Sequence, residues 1–265
     1  KYIKYIKYIK YIIYILDNFF YGCLGYADDL LLLSASRSGL QSMVTISERF
    51  ARDKSLKFST IVDPVKSKTK CIIFARKKIC DVAPILLNGD HLSWVQEVKH
   101  LGNTLQADNT MKTDCVLKRG AFIGKISSLL QESHFVEPPV FVNIMNIFTT
   151  SFYGSNLWDL YGDRAEQCYR AWSTAVKLTW DMPRNTHTWV VDNLLSCKLA
   201  SARERIIANY VGFVNRLKSA AAWEVCGLSE TQTRDAGSVT GRNTINIRQE
   251  FGQDPRGMTS GELKD

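Results

Sequence analysis

The sequence predicts an α+β fold, with a strand-rich, antiparallel first part and an all-helical second part that divide near residue 110. Three observations carry this reading. Short apolar runs bounded by turn residues recur up to about residue 105. An Asn88-Gly89 pair sits between two of them, and Asn-Gly is a strong hairpin signal because both residues tolerate positive φ. From about Thr113 the apolar residues recur every three or four positions instead, the spacing of one helix face.

Residues 1–18 form a low-complexity segment built on a Lys-Tyr-Ile triplet. A period of three suits neither helix nor strand, so the segment reads as a translated simple repeat and carries no assigned function. Residues 19–110 hold the strands. Apolar residues 19–26 and 30–33 predict two strands joined at Ala27-Asp28-Asp29. Ser34, Ser36 and Ser38 offer N-caps for a helix whose apolar positions are Leu40, Met43, Val44, Ile46 and Phe50. Leu56-Lys57-Phe58 and Cys71-Ile72-Ile73-Phe74 predict strands around a basic loop, Lys66-Ser67-Lys68-Thr69-Lys70. Residues 85–92 predict the Asn-Gly hairpin, and residues 98–105 one further strand. The expected arrangement over residues 19–106 is a single antiparallel sheet packed on the helix.

Residues 111–228 read as helices. Leu117, Ala121, Ile126 and Leu129 mark one. Val140, Ile144, Ile147 and Phe148 mark a second, opened by Pro138-Pro139, since proline suits a first helical turn. Ala165, Tyr169, Trp172 and Val176 mark a third, ended before Pro183. Residues 194–217 add one or two more. Trp158, Trp172, Trp180 and Trp189 read as helical core. Residues 229–265 are polar and are expected to be a disordered tail.

The net charge is +8, and residues 37–80 hold eleven Lys and Arg against three Asp and Glu. That one stretch carries the whole excess, which favours a polyanionic partner, nucleic acid before membrane. Seven scattered cysteines without a Cys-x-x-Cys pair argue against a zinc site or a disulfide framework. His91, His100, His134 and His187 show no ligand spacing. No secretory signal or membrane span is read, so the expected location is intracellular, nucleus or cytoplasm. The first residue is Lys rather than Met, and the chain is read as a fragment.

Two adjacent aspartates between very apolar strands call for a cation, because like charges repel and apolar flanks raise the cost of ionisation. Mg²⁺ suits them, taking one or two carboxylates with water and phosphate oxygens. Tyr26-Ala27-Asp28-Asp29 followed by Leu30-Leu31-Leu32-Leu33-Ser34 resembles motif C of reverse transcriptases. In order after it, residues 56–74 with Lys68-Thr69-Lys70 resemble motif D, and residues 86–102 with His100-Leu101-Gly102 resemble motif E, the primer-grip hairpin. Trp180-Asp181-Met182-Pro183 with Thr186-His187-Thr188 is similar to a stretch after the thumb of non-LTR retrotransposon enzymes. The resemblance covers about residues 19–220.

It implies an antiparallel palm sheet with a YADD hairpin, followed by a thumb-like helical domain, and two-metal nucleotidyl transfer with Mg²⁺ as cofactor. RNA template, DNA primer and deoxynucleoside triphosphates would be the partners. Asp28 would be the principal metal ligand and Asp29 a weaker one. Lys68, or Lys66 in a second register, would face the leaving pyrophosphate. Tyr26, Lys66, Lys68, Lys70, Leu101 and Gly102 would contact nucleic acid. The chain departs from the family in lacking a third aspartate before Asp28, other than Asp17 in the repeat, and in lacking the fingers. It is therefore expected to be inactive alone. Two further readings stay open: a non-catalytic nucleic-acid-binding module, and a decayed reading frame with no selected role.

Overall fold

The computed structural model of the protein describes residues 2–3, 8–9, 22–60, 67–75, 82–132, 136–148, 152–195, 201–219 and 223–258. It is a mixed α/β chain that divides into two compact units, Lys1–Thr110 and Met111–Asp265.

The first unit opens on two-residue strands β1 (Tyr2–Ile3) and β2 (Tyr8–Ile9). The hairpin β3 (Cys23–Tyr26) and β4 (Asp29–Leu32) and helix α1 (Arg37–Asp53) follow. Then come β5 (Lys57–Phe58), β6 (Cys71–Phe74), β7 (Ile85–Leu87), β8 (Asp90–Leu92), β9 (Trp94–Val95), β10 (Glu97–His100) and β11 (Asn103–Gln106). Three antiparallel hairpins, β3–β4, β7–β8 and β10–β11, each turn on two residues. At Asn88 and Gly89 φ is 53° and 85°, the doubly left-handed turn that Asn-Gly favours.

The single antiparallel sheet expected over residues 19–106 is not what forms. Among the described residues the hairpins remain separate two-stranded sheets, and β6 pairs in parallel with β9 and with β2, while β1 pairs in parallel with β5. Turn chemistry fixes strands that are neighbours in sequence. Distant partners are chosen by packing, which no local pattern records. Here the core selects them: Leu32, Leu40, Val44, Ala51, Phe58, Cys71, Ile85, Leu87 and Leu92 form one buried cluster drawn from β4, α1, β5, β6, β7 and β8. The strand expected at 98–105 is also a hairpin. Leu101 and Gly102 both have positive φ, which reverses the chain after His100.

Helix α1 starts at Ser36, whose hydroxyl accepts from Gly39 N. Its inner face is Leu40, Val44 and Ala51, whereas Ile46 and Phe50, read as apolar-face positions, are 57% and 58% exposed. The inner face packs on Ile85 and Leu87 of β7, and Gln41 at its edge reaches that strand. Gln41 donates to Leu86 O at 2.9 Å and accepts from Leu86 N at 2.8 Å, covering an edge-strand amide pair with a side-chain amide.

The second unit is helical: α2 (Lys112–Glu132), α3 (Pro138–Phe148), a 3₁₀ turn at Ser155–Leu157, α4 (Asp163–Thr179), α5 (Thr188–Leu195), α6 (Ala202–Lys218), α7 (Trp223–Arg234) and α8 (Val239–Phe251). In α4 the expected face is the buried one, with Ala165, Tyr169, Trp172 and Val176 all inside. Elsewhere the face is rotated. Helix α2 buries Asp114, Cys115, Phe122 and Ile126 and leaves Leu117 and Ala121 outside. Helix α3 buries Phe141, Val142 and Met145 and exposes Val140, Ile147 and Phe148. Both helices are apolar on more than one side, so spacing alone did not choose between faces. Trp158 and Trp172 are core, while Trp189 is exposed.

The tail expected to be disordered from residue 229 instead contains part of α7 and all of α8. Ser238 caps α8 at Gly241 N, and Gly252 ends it with φ 69°. Fully buried Asn243 donates to Trp158 O and accepts from Leu160 N. Tyr210 of α6 donates to Thr240 O, and Arg203 pairs with Glu250 through two 2.7 Å bonds. Composition hides these contacts because the segment is polar yet supplies its polar groups with partners. No helix among the described residues is long and apolar enough to cross a membrane.

Candidate functional site

The residues singled out in the sequence fall on three turns of the first unit. Tyr26, Asp28 and Asp29 share the β3–β4 hairpin, where Tyr26 and Asp29 are directly opposite and Ala27-Asp28 is the two-residue turn. Ala27 has φ 51°, a left-handed conformation that glycine adopts more cheaply. Leu33 N donates to Gly22 O at 2.7 Å and closes the base of the hairpin. Leu32 is fully buried in the core cluster and Leu30 packs against it, so one face of β4 anchors the acidic turn. All four residues of β3 are exposed, Tyr26 at 67%.

The two carboxylates differ. Asp28 is exposed at the turn, while Asp29 is half-buried. Asp29 Oδ1 is buried and has no hydrogen-bond partner among the described residues. An ionised oxygen held out of water without a donor is costly, and a cation is the direct remedy.

Lys68 and Lys70 lie just before β6. Ser67 and Thr69 are buried, with Ser67 Oγ donating to Thr69 O at 2.7 Å, and this turns Lys68 outward while Lys70 is half-buried. Lys66 lies outside the described residues, as do Arg76, Lys77 and Lys78. Because Cys71 of β6 and Leu32 of β4 belong to the same buried cluster, the lysine loop and the acidic hairpin are built on one core. Leu101 and Gly102 form the exposed turn of β10–β11, with φ 45° and 79°. That hairpin meets β6 at its base, where Ala75 N donates to Ala107 O at 3.1 Å.

No family model, curated protein or solved structure matches this chain. The reading of the site therefore rests on its own geometry. Among the described residues no group of three or more His, Cys, Asp or Glu side chains is arranged to hold a metal ion. Burial pushes the Cys71 thiol up to about 12, which makes it a neutral core residue rather than a nucleophile or ligand.

Ser34, one of the three N-cap candidates, takes a different role, and Gly39 and Gln41 were not singled out by the sequence. Ser34 is fully buried, its hydroxyl donating to Ser36 O at 2.8 Å and accepting from Ser36 N at 3.2 Å. Gly39 lies against it, and Gln41 ties α1 to β7. A glycine in the first turn of a helix was the available signal for Gly39, since it costs helix stability unless something approaches closely. Nothing in the sequence marked Gln41.

Proposed function

We propose that this chain carries the palm and thumb portion of a reverse transcriptase of the non-LTR retrotransposon kind, whose parent activity is RNA-directed DNA polymerisation. The observation that carries the reading is the pair of adjacent aspartates at the hairpin tip, Asp28 in the two-residue turn and Asp29 opening β4, with the buried Asp29 Oδ1 lacking a partner among the described residues. These groups fit Mg²⁺, which takes one or two carboxylates and completes its shell with water and phosphate. When bound, two such ions would supply activation of the primer 3′-hydroxyl and charge neutralisation on the triphosphate.

The chain's own residues take the remaining roles. Asp28 holds metal from the exposed turn, and Asp29 holds it from the half-buried side. Lys68 offers a cation to the leaving pyrophosphate. Tyr26 lies at the primer end, while Leu101 and Gly102 contact the primer strand with backbone that is close to the surface. Lys66, Lys68 and Lys70 neutralise duplex phosphates. A second reading, a non-catalytic nucleic-acid-binding module, is favoured by the absence of a third acidic ligand among the described residues.

One experiment separates the two. The full 265-residue chain is titrated with Mn²⁺ by electron paramagnetic resonance, and primer extension is assayed on an RNA template with Mg²⁺ or Mn²⁺. The expected result is Mn²⁺ binding that Asp28→Asn abolishes, with no extension, because two carboxylates hold metal without completing the site. Equal Mn²⁺ binding by Asp28→Asn, or none by the wild type, leaves the binding-module reading. Extension that Asp28→Asn abolishes would mean the site is more complete than proposed.

A further inference from the structure

We infer that the outer face of α3 is a self-association surface, on which a second copy of this chain docks its own α3 antiparallel across a two-fold axis; the inference does not depend on the metal reading of Asp28 and Asp29. No residue from Pro138 to Phe148 carries a charge. The inner face of the helix is already committed. Phe141, Val142 and Met145 are buried, and Asn146 accepts from Trp172 Nε1 at 3.0 Å and, through its carbonyl, from Arg205 at 2.7 Å. Opposite that face, Val140, Ile147 and Phe148 are 48%, 72% and 66% exposed, with Pro139 and Asn143 also open to solvent. At about 3.6 residues per turn, Val140, Asn143, Ile144 and Ile147 fall on one stripe. A helix that is apolar on every side is ordinarily covered all round.

The chemistry of the face selects the occupant. A polyanion or an anionic lipid surface finds no cation on α3, and the exposed Glu137 directly before the helix repels both. The helix, about 16 Å long, is too short to span a bilayer. What remains is apolar protein surface, and this chain supplies a matching one. In an antiparallel pairing centred between Asn143 and Ile144, Val140 faces Ile147 of the second copy, Asn143 faces Ile144, and Pro139 faces Phe148, each contact occurring twice. The two Asn143 side chains then lie beside the axis, where amide pairing fixes the register as a lone polar residue does in a helix seam. The two Glu137 side chains are carried to opposite ends, and the helix dipoles oppose. The open surface of Val140, Ile147, Phe148, Pro139 and Asn143 is on the order of 500 Å² per copy, so covering both faces buries about 1,000 Å², the size at which specific interfaces begin. A dimer of that size dissociates in the micromolar range.

The test is analytical ultracentrifugation of the full 265-residue chain at rising concentration, beside thermal melting curves. The wild type is expected to pass from monomer to dimer and stop there, since a two-fold interface closes on itself. Val140→Glu and Ile147→Lys, each alone, should weaken the dimer by about 100-fold or more, because every dimer then buries two unpaired charges. Their melting curves should stay close to wild type, both side chains being exposed in the single chain. The double variant Val140→Glu/Ile147→Lys sets opposite charges against each other twice across the axis and should recover about tenfold or more of the lost affinity. Neither charge would rescue the other if each acted only within its own chain. A wild type that stays monomeric leaves the face to a partner of another sequence and overturns the inference. Association that grows beyond two copies, single variants that still dimerise as the wild type does, or no recovery in the double variant overturns it as well. Should a charged variant fail to fold, Val140→Ala and Ile147→Ala decide by the same measurement, with about tenfold weakening expected and unchanged association overturning the inference.

Discussion

At the residue scale, the acidic turn combines two features that folding alone would not favour. Ala27 is left-handed at φ 51°, and Asp29 buries a carboxylate oxygen with no donor among the described residues. Such local conflicts concentrate where a protein binds or reacts. Each is removable by substitution. Ala27→Gly takes away the Cβ penalty and should stabilise the first unit by about 1 kcal/mol. Asp29→Asn replaces a half-buried carboxylate beside Asp28 with a neutral group, and in divalent-free buffer it should also stabilise, by about 1 kcal/mol. Urea denaturation in the presence of a chelator measures both. A destabilised Asp29→Asn would show that this carboxylate has a structural partner instead of awaiting a cation.

At the scale of elements, α8 turns a polar C-terminal stretch into part of the second unit. The Glu250 carboxyl is held below the usual carboxylate range by its hydrogen bonds to Arg203, with Tyr161 adding a further donor at 2.7 Å. A carboxylate with a depressed folded value stabilises the fold at any pH above its unfolded value, near 4.3, and loses that contribution as pH falls through the folded value. Wild-type melting temperature should therefore drop on acidification below about pH 4.3, and Glu250→Gln should flatten this part of the profile. At pH 7 the same substitution should lower the melting temperature by about 2–4 °C, as expected for a loss near 1 kcal/mol in a domain of this size. Parallel pH profiles for the two proteins would mean that the Arg203–Glu250 pair contributes nothing to α8.

At the scale of the whole molecule, the charge is concentrated. Residues 37–80 hold an excess of eight basic charges, equal to the net charge of the chain. In the proposed function this stretch meets the phosphates of a nucleic-acid duplex, and lysines do so as point charges without reading bases. Each neutralised phosphate steepens the fall of log affinity with log salt by about 0.9, so replacing Lys66, Lys68 and Lys70 together by Ala should reduce the slope by roughly two to three units. The reduction should be the same for unrelated duplex sequences. A salt titration of duplex binding measures it, and an unchanged slope would make the basic run a solvated surface.

What the sequence determined by itself is whatever neighbours in the chain decide. Asn88-Gly89 dictates its own turn, the Ser34–Ser38 stretch a helix start that the structure places at Ser36, and Ala165, Tyr169, Trp172 and Val176 a face bulky enough to be buried whole. The acidic turn expected at Ala27-Asp28-Asp29 was legible for the same reason, because its strands are adjacent and apolar, although Asp29 itself opens β4. The tertiary structure alone decided which distant strands pair, as β6 with β9, and which side of α2 and α3 is buried. It also decided that Gly39 lies against the buried Ser34 hydroxyl, that Gln41 covers the edge of β7, and that Asn243, Tyr210 and Arg203 hold the C-terminal helix. The physical reason is common to all of these. A helix apolar on several sides, or a polar segment with buried partners, has several local solutions of similar free energy, and only contacts between residues far apart in the chain separate them.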